Sequence, residues 1–467
     1  MGKPNAIKLA FYGDDFTGST DALEFLSRAG VRTVLFLDNP SPEQLEQFQF
    51  PEAIGVAGMT RAMSPKDMEK TLKPAFKALK ALHPDHIHYK VCSTFDSSPE
   101  TGNIGTAIET GIHIFKSACT PILVAAPHLG RYSAFGNLFA RMGIGSQGVI
   151  HRLDRHPSMS RHPVTPADES DLRLHLAKQT DLPAGLIDLM DLEKSENTIL
   201  EKINQLNSGG KKVIFFDAMY EHQMAKIGSV LEQLSQKSEP LFSVGSSGIE
   251  KALGDHWLAT GQFEKREKWE PLNPAKPLLV ISGSVSPVTA AQIDWAVAHG
   301  FVSIDIPPAA LFDPSLDNYI IYISHQILPA LRAGKSVILH TAKGPDDPRK
   351  EYIQSWMAEK GWSPEKQRSW VAQRLGTALG RIARKMLEQF PLKRLVIAGG
   401  DTSSYAAREL GITAVEMIAP LFPGAPLCRA YAPGSPVDGM EVNLKGGQVG
   451  DERYFGVLEG SSGLYRE

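Results

Sequence analysis

The sequence is poor in cysteine, in clustered positive charge and in long apolar runs, and each shortage removes a class of explanation. Its three cysteines, Cys92, Cys119 and Cys428, are scattered over 467 residues and never form a Cys-x-x-Cys pair. Neither a zinc knuckle nor a disulfide framework is expected, and a reducing cytoplasm is the simplest home. Lys and Arg number 49 against 52 Asp and Glu, a net charge of -3. No basic face is available to follow a nucleic-acid backbone, so nucleic acid is not an expected partner. No apolar run approaches the roughly 18 residues that span a bilayer, and charge interrupts the N-terminal MGKPNAIKLAFYGDD before an export signal could form. A soluble, unexported protein is expected.

Two nucleotide fingerprints are also missing. The first strand is followed by GDDFTGSTD, which lacks Gly-x-Gly-x-x-Gly and sets negative charge where a pyrophosphate would lie, so an NAD-dependent dehydrogenase is disfavoured. Gly334-Lys335-Ser336 imitates the end of a Walker A loop, but Pro329 stands where that motif needs its first glycine. A helix precedes this turn and a strand follows it, so its dipole end repels phosphate, and Gly334 reads as a helix C-cap.

What is present is an alternation of short apolar runs with helix-length amphipathic stretches. KLAFYG, a helix from about Asp21 to Ala29, VRTVLFL, AIGVAG, MEKTLKPAFKALKAL, HIHYKV, NIGTAIETGIHIF and PILVAA follow one another. This βαβ order predicts an α/β fold with mostly parallel sheets flanked by helices. At 51.0 kDa the chain exceeds one ordinary core, which predicts two domains. The charged, proline-rich GQFEKREKWEPLNPAKP reads as a linker over 261–277, dividing an N-terminal domain (1–260) from a C-terminal one (278–467). No internal repeat is visible.

The first motif is the Asp14–Asp15 pair, where the first strand gives way to a helix. Carboxylates at the carboxyl end of a parallel strand can accept a hydrogen bond from a substrate hydroxyl and, if tuned, its proton. The plain alternative is that Asp21, Ser19 or Thr20 caps the helix while the pair is solvated. In the C-terminal half, VISGSVSPVTAAQI and LVIAGGDTSSYAARELG each run from strand through a Gly and Ser turn into a helix. Backbone N–H groups and hydroxyls at such helix N-termini hold phosphate anions, and two of these loops suggest a nucleotide. VNLKGGQVGDERYF offers a weaker third wall of the same pocket with Lys445 near phosphate, equally readable as a hairpin turn with a solvated lysine. Lys90, Ser93, Thr94 and Asp96 stand at another strand end, and His128 and Arg131 at a third. HRLDRHPSMSRHPVTP gathers Arg152, Arg155, Arg161, His151, His156 and His162, read as an anion site in preference to a metal cluster, with a solvated loop nearly as good.

Taken together, the chain resembles the four-carbon acid sugar kinase family. GDDFTGSTD (13–21), the Lys90 segment, APHLGR (126–131), HPVTP (162–166), SGSVSPVT (282–289), GGDTSS (399–404), PGAP (423–426) and KGGQVG (445–450) carry the resemblance. It implies phosphorylation of a terminal hydroxyl of threonate, erythronate, 3-oxo-tetronate or a relative such as 3-oxo-isoapionate, with ATP and Mg²⁺, in a cleft between an acid-sugar lobe and a nucleotide lobe, and it suggests a homodimer. By position, Asp14, Thr17, Lys90 and Arg131 would bind the acid or the transferred phosphoryl group, with Asp15 as base or orienting carboxylate. Ser282, Ser284, Gly399, Gly400, Asp401, Thr402 and Gly447 would surround ATP. Where many relatives read Lys-x-Asp-Ser-Thr-x-Arg-Gly-Asn, this chain has KVCSTFDSSPETGN: Cys92 replaces the Asp, an insertion follows Thr94, and the Arg is missing. The departure bears on which acid is used. A bilobed acid-sugar sensor without catalysis is the rival, and it has no use for phosphate-holding loops.

Overall fold

A computed structural model of the chain describes residues 7–142, 148–162, 164–235, 239–312, 316–362 and 364–460. It divides into two compact units, Met1–Glu267 and Lys268–Glu467. Among the described residues no helix is long and apolar enough to cross a membrane.

The first unit is built on strands β1 (Leu9–Gly13), β2 (Thr33–Phe36), β3 (Ala53–Ala57), β4 (His86–Lys90) and β5 (Thr120–Leu123), a trio β6 (Arg131–Ala134), β7 (Asn137–Arg141) and β8 (Ile150–Arg152), and then β9 (Ala184–Ile187), β10 (Val213–Phe216) and β11 (Leu241–Gly245). The main sheet runs β2-β3-β1-β4-β11-β5-β10-β9, and its pairings are parallel. Helices cover both faces of such a sheet, which is why LAFYG and AIGVA are buried at every position instead of alternating. The covering helices carry one apolar stripe each. Pro65–Lys80 is capped by Ser64, which accepts from the Asp67 amide, and buries Met68, Leu72, Ala75, Phe76 and Leu79. Phe76 meets Tyr12 and Tyr89 edge-on at 6.2 and 6.0 Å, locking β1 and β4 to that helix.

β1 lies between β3 and β4. The chain winds away from β1 in one direction through β2 and β3, then returns to its other side with β4. That reversal opens a crevice at the carboxyl ends of β1 and β4, where Asp14, Asp15 and Lys90 stand.

The second unit repeats this local order without any sequence repeat. Its strands are β12 (Leu279–Ser282), β13 (Val302–Asp305), β14 (Val337–His340), β15 (Arg394–Ala398), β16 (Ala414–Phe422), β17 (Ala425–Tyr431) and β18 (Glu441–Lys445), arranged β13-β14-β12-β15-β18-β17-β16. Parallel pairing runs from β13 to β18, and β17 is antiparallel to β18 and β16. β12 is the reversal strand, so the crevice falls after Ser282 and Ala398.

Three sequence expectations need correction here. The first helix starts at Phe16, not near Asp21, because Asp15 itself caps it. Arg131, read at a strand end, and His151 and Arg152, read in a cationic loop, instead belong to the antiparallel β6-β7-β8 sheet. KGGQVG makes no hairpin: β18 pairs in parallel with β15, and the chain goes on to the helix Tyr454–Glu459. Gly334 does close the helix Leu316–Arg332, with φ +73 and its amide on the Leu331 carbonyl at 2.9 Å.

Arg394, at the start of β15, is fully buried. Its Nε donates to Glu441 at 2.8 Å, its Nη2 to the Asn273 carbonyl at 3.1 Å, and its Nη1 to the Leu458 carbonyl. One guanidinium thus ties the start of the unit to β18 and to the helix Tyr454–Glu459. Arg394→Met should cost on the order of 3 kcal/mol, because it strands Glu441 and two carbonyls. Urea unfolding followed by tryptophan fluorescence should show an earlier transition for the second unit, and an unchanged midpoint would refute the role.

Candidate active site

The first crevice is assembled around two carboxylates. Gly13 pairs with Lys90 across β1 and β4, and the Asp14 amide donates to the Lys90 carbonyl at 2.9 Å. The backbone of Asp15 is extended, and its Oδ1 accepts the Gly18 amide at 2.8 Å, closing the N-terminus of the helix Phe16–Arg28. Thr17 Oγ1 donates to Asp15 Oδ2 at 3.1 Å.

Arg61 binds both acids. It follows β3 in the short turn Thr60–Ala62, and its Nη2 and Nε meet Asp14 Oδ1 and Oδ2 at 2.7 and 3.0 Å, while Nη1 meets Asp15 Oδ2 at 2.7 Å. The bidentate fork fixes Asp14 in orientation as well as position. Both aspartates are buried, at 3% and 6% exposure. Burial raises the Asp14 carboxyl above its ordinary range, Arg61 opposes this, and the neighbouring Asp15 adds to it. Burial also works against the Arg61 charge, but the two carboxylates outweigh it and hold the guanidinium well above its usual value.

Lys90 is buried behind the pair, with Nζ 3.8 Å from Asp21 Oδ2. Gly18 is the spacer between these groups: a β-carbon there would lie 2.4 Å from Asp15 Oδ1 and 2.8 Å from Lys90 Nζ. Any larger residue would push the lysine off the acids. Cys92, two residues on, is within the electrostatic reach of Asp96, Arg61 and Lys90, and burial lifts its thiol to about 11. It is a neutral group among cations, not a nucleophile.

Arg131 stands apart from this cluster. It is buried, its Nη1 is spent on the carbonyls of Leu129, Gly130 and Arg141 at 3.1 to 3.3 Å, and its Nε has no partner. No hydrogen bond or ion pair joins it to Asp14, Asp15 or Lys90 among the described residues, although the Cys92 thiol and Asp96 act on it electrostatically. His128 is packed on Phe25 with ring centroids 4.1 Å apart, and burial lowers its pKa to about 3, so it stays neutral. The cationic loop is largely self-satisfied: Arg152 grips Asp154 with Nε at 2.7 Å and Nη2 at 2.6 Å, while His156 and His162 accept from local backbone amides. Pro163 of HPVTP lies outside the described residues. Among the described residues no three His, Cys, Asp or Glu side chains are grouped to hold a metal ion.

In the second unit three loops meet at the ends of β12, β15 and β18. The Gly283 amide donates to the Ala398 carbonyl at 3.0 Å and the Gly399 amide to the Lys445 carbonyl at 2.9 Å. Gly399 has φ +128, open to glycine alone, and a side chain there would strike Thr402 Oγ1. The helix Gly400–Glu409 starts at once, directing its first amides into the crevice. The Ser284 amide donates to Ser282 Oγ at 3.3 Å, Ser284 Oγ to Thr289 Oγ1 at 3.0 Å, and Thr289 Oγ1 to the Gly447 carbonyl at 3.0 Å. Ser282, Ser284, Gly399, Gly400, Thr402 and Gly447 are therefore neighbours, as expected of one anion-holding crevice. The side chain of Asp401 lies outside the described residues.

Sequence reasoning missed Arg61 altogether and left Thr289 unremarked inside its motif. The available signal for Arg61 was indirect: a buried acid pair needs a cation, and GMTRAM supplies one after the strand next to β1.

Comparison with known proteins agrees with this division. A family profile described as a sugar-binding N-terminal domain matches residues 9–253, and one described as a nucleotide-binding C-terminal domain matches residues 279–455. A 3-oxo-isoapionate kinase from Paraburkholderia graminis is 42% identical over 457 residues, covering 97% of this chain and 94% of that protein. A 3-oxo-tetronate kinase from Pseudomonas fluorescens is 27% identical, covering 96% and 95%. Among solved structures, one from Salmonella typhimurium LT2 shares the fold with a TM-score of 0.72 at 24% identity, covering 96% of this chain and 98% of that one.

Arg61→Met tests the clamp. A carboxyl whose folded pKa is raised contributes stability below its unfolded value and loses it as pH rises through the folded value. Without the opposing guanidinium the Asp14 carboxyl rises further. The melting temperature of Arg61→Met should thus stay close to wild type at about pH 4 and fall progressively behind towards about pH 8. A deficit that does not grow with pH would show that Arg61 is not compensating this charge.

Proposed function

The chain belongs to the four-carbon acid sugar kinase family, and from that premise we propose that it transfers the γ-phosphoryl group of MgATP to a terminal hydroxyl of a small sugar acid, with 3-oxo-isoapionate as the substrate to test first. The observation that carries the proposal is the pairing of chemistries, one to a unit. The first crevice offers carboxylates and cations suited to a hydroxy acid, and the second offers a helix N-terminus and hydroxyls suited to phosphates. The 42% identity to a 3-oxo-isoapionate kinase supports the choice of acid.

Phosphoryl transfer demands positioning and charge stabilisation more than covalent help. In the proposed complex Lys90 and the unpartnered Nε of Arg131 bind the carboxylate or the incoming phosphoryl group, and Thr17 completes the wall. Asp14 and Asp15 hold the attacking hydroxyl. The sequence favours Asp15 as the base, but among the described residues its oxygens already accept three hydrogen bonds, from Gly18, Thr17 and Arg61, whereas those of Asp14 accept two, both from Arg61. A carboxylate offers about four acceptor positions, so Asp14 has more capacity for a substrate hydroxyl, and its raised pKa suits proton acceptance. We therefore assign the proton to Asp14 and the orienting role to Asp15. Ser282, Ser284, Gly399, Gly400, Asp401, Thr402 and Gly447 line the nucleotide. Mg²⁺ enters with the phosphates as part of the substrate, and the chain acts as the dimer that the family resemblance suggests.

ADP release should be followed over a panel of 3-oxo-isoapionate, 3-oxo-tetronate, threonate and erythronate. The expected outcome is turnover with a preference for the first. Asp14→Asn should lower kcat by about 10²- to 10⁴-fold with a small change in KM, and Asp15→Asn should lower it less. The reverse order returns the proton to Asp15. Absence of ADP release with every acid, together with retained acid binding, favours the non-catalytic sensor.

A further inference from the structure

Among the described residues the buried cations are matched by acids, with two exceptions: Arg131, whose Nη1 is spent on three backbone carbonyls, and Lys445. Arg61 has Asp14 and Asp15, Arg394 has Glu441, and Lys90 has Asp21. Lys445, the last residue of β18, is wholly buried and has no carboxylate within ion-pair distance among the described residues. An isolated buried ammonium is expensive, and folds seldom keep one without use.

Its surroundings are neutral and well defined. Nζ donates to Thr289 Oγ1 at 3.1 Å and to the Gly446 carbonyl at 3.0 Å, which leaves the third donor of an ammonium unspent. The Tyr454 ring lies beneath it, 5.4 Å from Nζ to centroid, and the Tyr454 hydroxyl is occupied by Asn443 at 2.8 Å. Thr289 accepts from Ser284 and donates to the Gly447 carbonyl, so its hydroxyl is saturated and holds the lysine in place. From the turn after β12 comes Ser284, from the helix Pro287–Ala298 Thr289, from the turn after β18 Gly446 and Gly447, and from the helix Tyr454–Glu459 the Tyr454 ring. The side chain of Asp401, on the helix Gly400–Glu409, lies outside the described residues. Burial by itself drives the Lys445 pKa down to about 7, with no described charge acting on it.

The position adds the second half of the argument. Lys445 pairs with Ala398, the residue before the Gly399 turn, and the Gly399 amide donates to the Lys445 carbonyl. The lysine therefore stands beside the N-terminus of Gly400–Glu409 and the Ser284–Thr289 turn, where the amides and hydroxyls of the second crevice converge. A phosphate there would supply the missing counter-charge.

We propose that Lys445 Nζ is a phosphate ligand for the nucleotide, neutral in the empty domain and protonated from solvent when the phosphate arrives, so that nucleotide binding takes up a proton at this residue. The proposal rests on the nucleotide reading above and adds its principal cation. Arginine in this place could not titrate, and methionine could neither bind nor titrate.

The test is calorimetric titration of the full-length chain with ADP at about pH 8, above both the lysine's lowered pKa and the second ionisation of ADP, in two buffers of different ionisation enthalpy. The wild type should bind with uptake approaching one proton, read from the dependence of the observed enthalpy on the buffer. Lys445→Met should bind ADP at least about tenfold more weakly, take up no proton, and melt, when empty, no lower than wild type, because a buried polar amine gives way to an apolar side chain of similar length. Lys445→Arg should retain more affinity than Lys445→Met and show no uptake. Wild-type binding with buffer-independent enthalpy, or Lys445→Met binding ADP within twofold of wild type, overturns the proposal. If the wild type binds no ADP at all, it is the nucleotide reading that fails.

Discussion

A charge taken out of water must find its opposite nearby, and the first domain is organised by the way Arg61 meets that requirement. Two adjacent aspartates at the end of β1 would repel each other and favour the unfolded chain if left alone. The guanidinium from the end of β3 binds one of them with two nitrogens and the other with the third. That arrangement holds only if β1 and β3 are neighbours in register, so the clamp and the strand order support each other. Lys90 and Asp21 repeat the same logic one layer deeper.

The winding of both domains explains why chemistry collects where it does. Each begins with a strand that ends up inside its sheet, flanked on one side by the third strand and on the other by the fourth, as β1 is by β3 and β4, and β12 by β14 and β15. Parallel strands point their carboxyl ends, and the following helix N-termini, to the same edge. The first domain fills its edge with side-chain acids and cations, the second with backbone amides, hydroxyls and a single buried lysine. One topology thus provides a polar cradle for an organic acid in one case and for an anionic chain of phosphates in the other.

Much of this is legible in the sequence. Runs such as LAFYG and PLLVIS announce buried parallel strands, and the Asp14–Asp15 pair and the two Gly and Ser turns stand out because their residue types are costly or unusual at strand ends. What was not legible depends on distance along the chain. Arg61 lies 46 residues beyond Asp15, and nothing local marks it as that residue's partner. Lys445 reads equally as a phosphate neighbour or a solvated lysine in the sequence, and its burial comes only with the fold. The start of the first helix was misjudged because Thr17, Gly18 and Thr20 are weak helix formers, and only the Asp15 cap overrides them. The β6-β7-β8 sheet escaped because its strands are short and carry arginines and a histidine, so no apolar period distinguishes them from loop.

The double employment of Asp15 has a bearing on how this scaffold diversifies. A residue that starts a helix and, in the proposed function, also faces the acceptor cannot be exchanged without disturbing the framework, and Arg61 shares that burden. In the segment after β4, where Cys92 stands and the loop is lengthened, Phe95, Ser97 and Gly102 share the burden, whereas Pro99 and Glu100 are exposed. For the proposed site, a library aimed at new acceptors would do best to randomise Cys92, Asp96, Pro99 and Glu100 and to leave Phe95, Ser97 and Gly102 in place, since Gly102 packs on the Arg61 backbone and so supports the clamp.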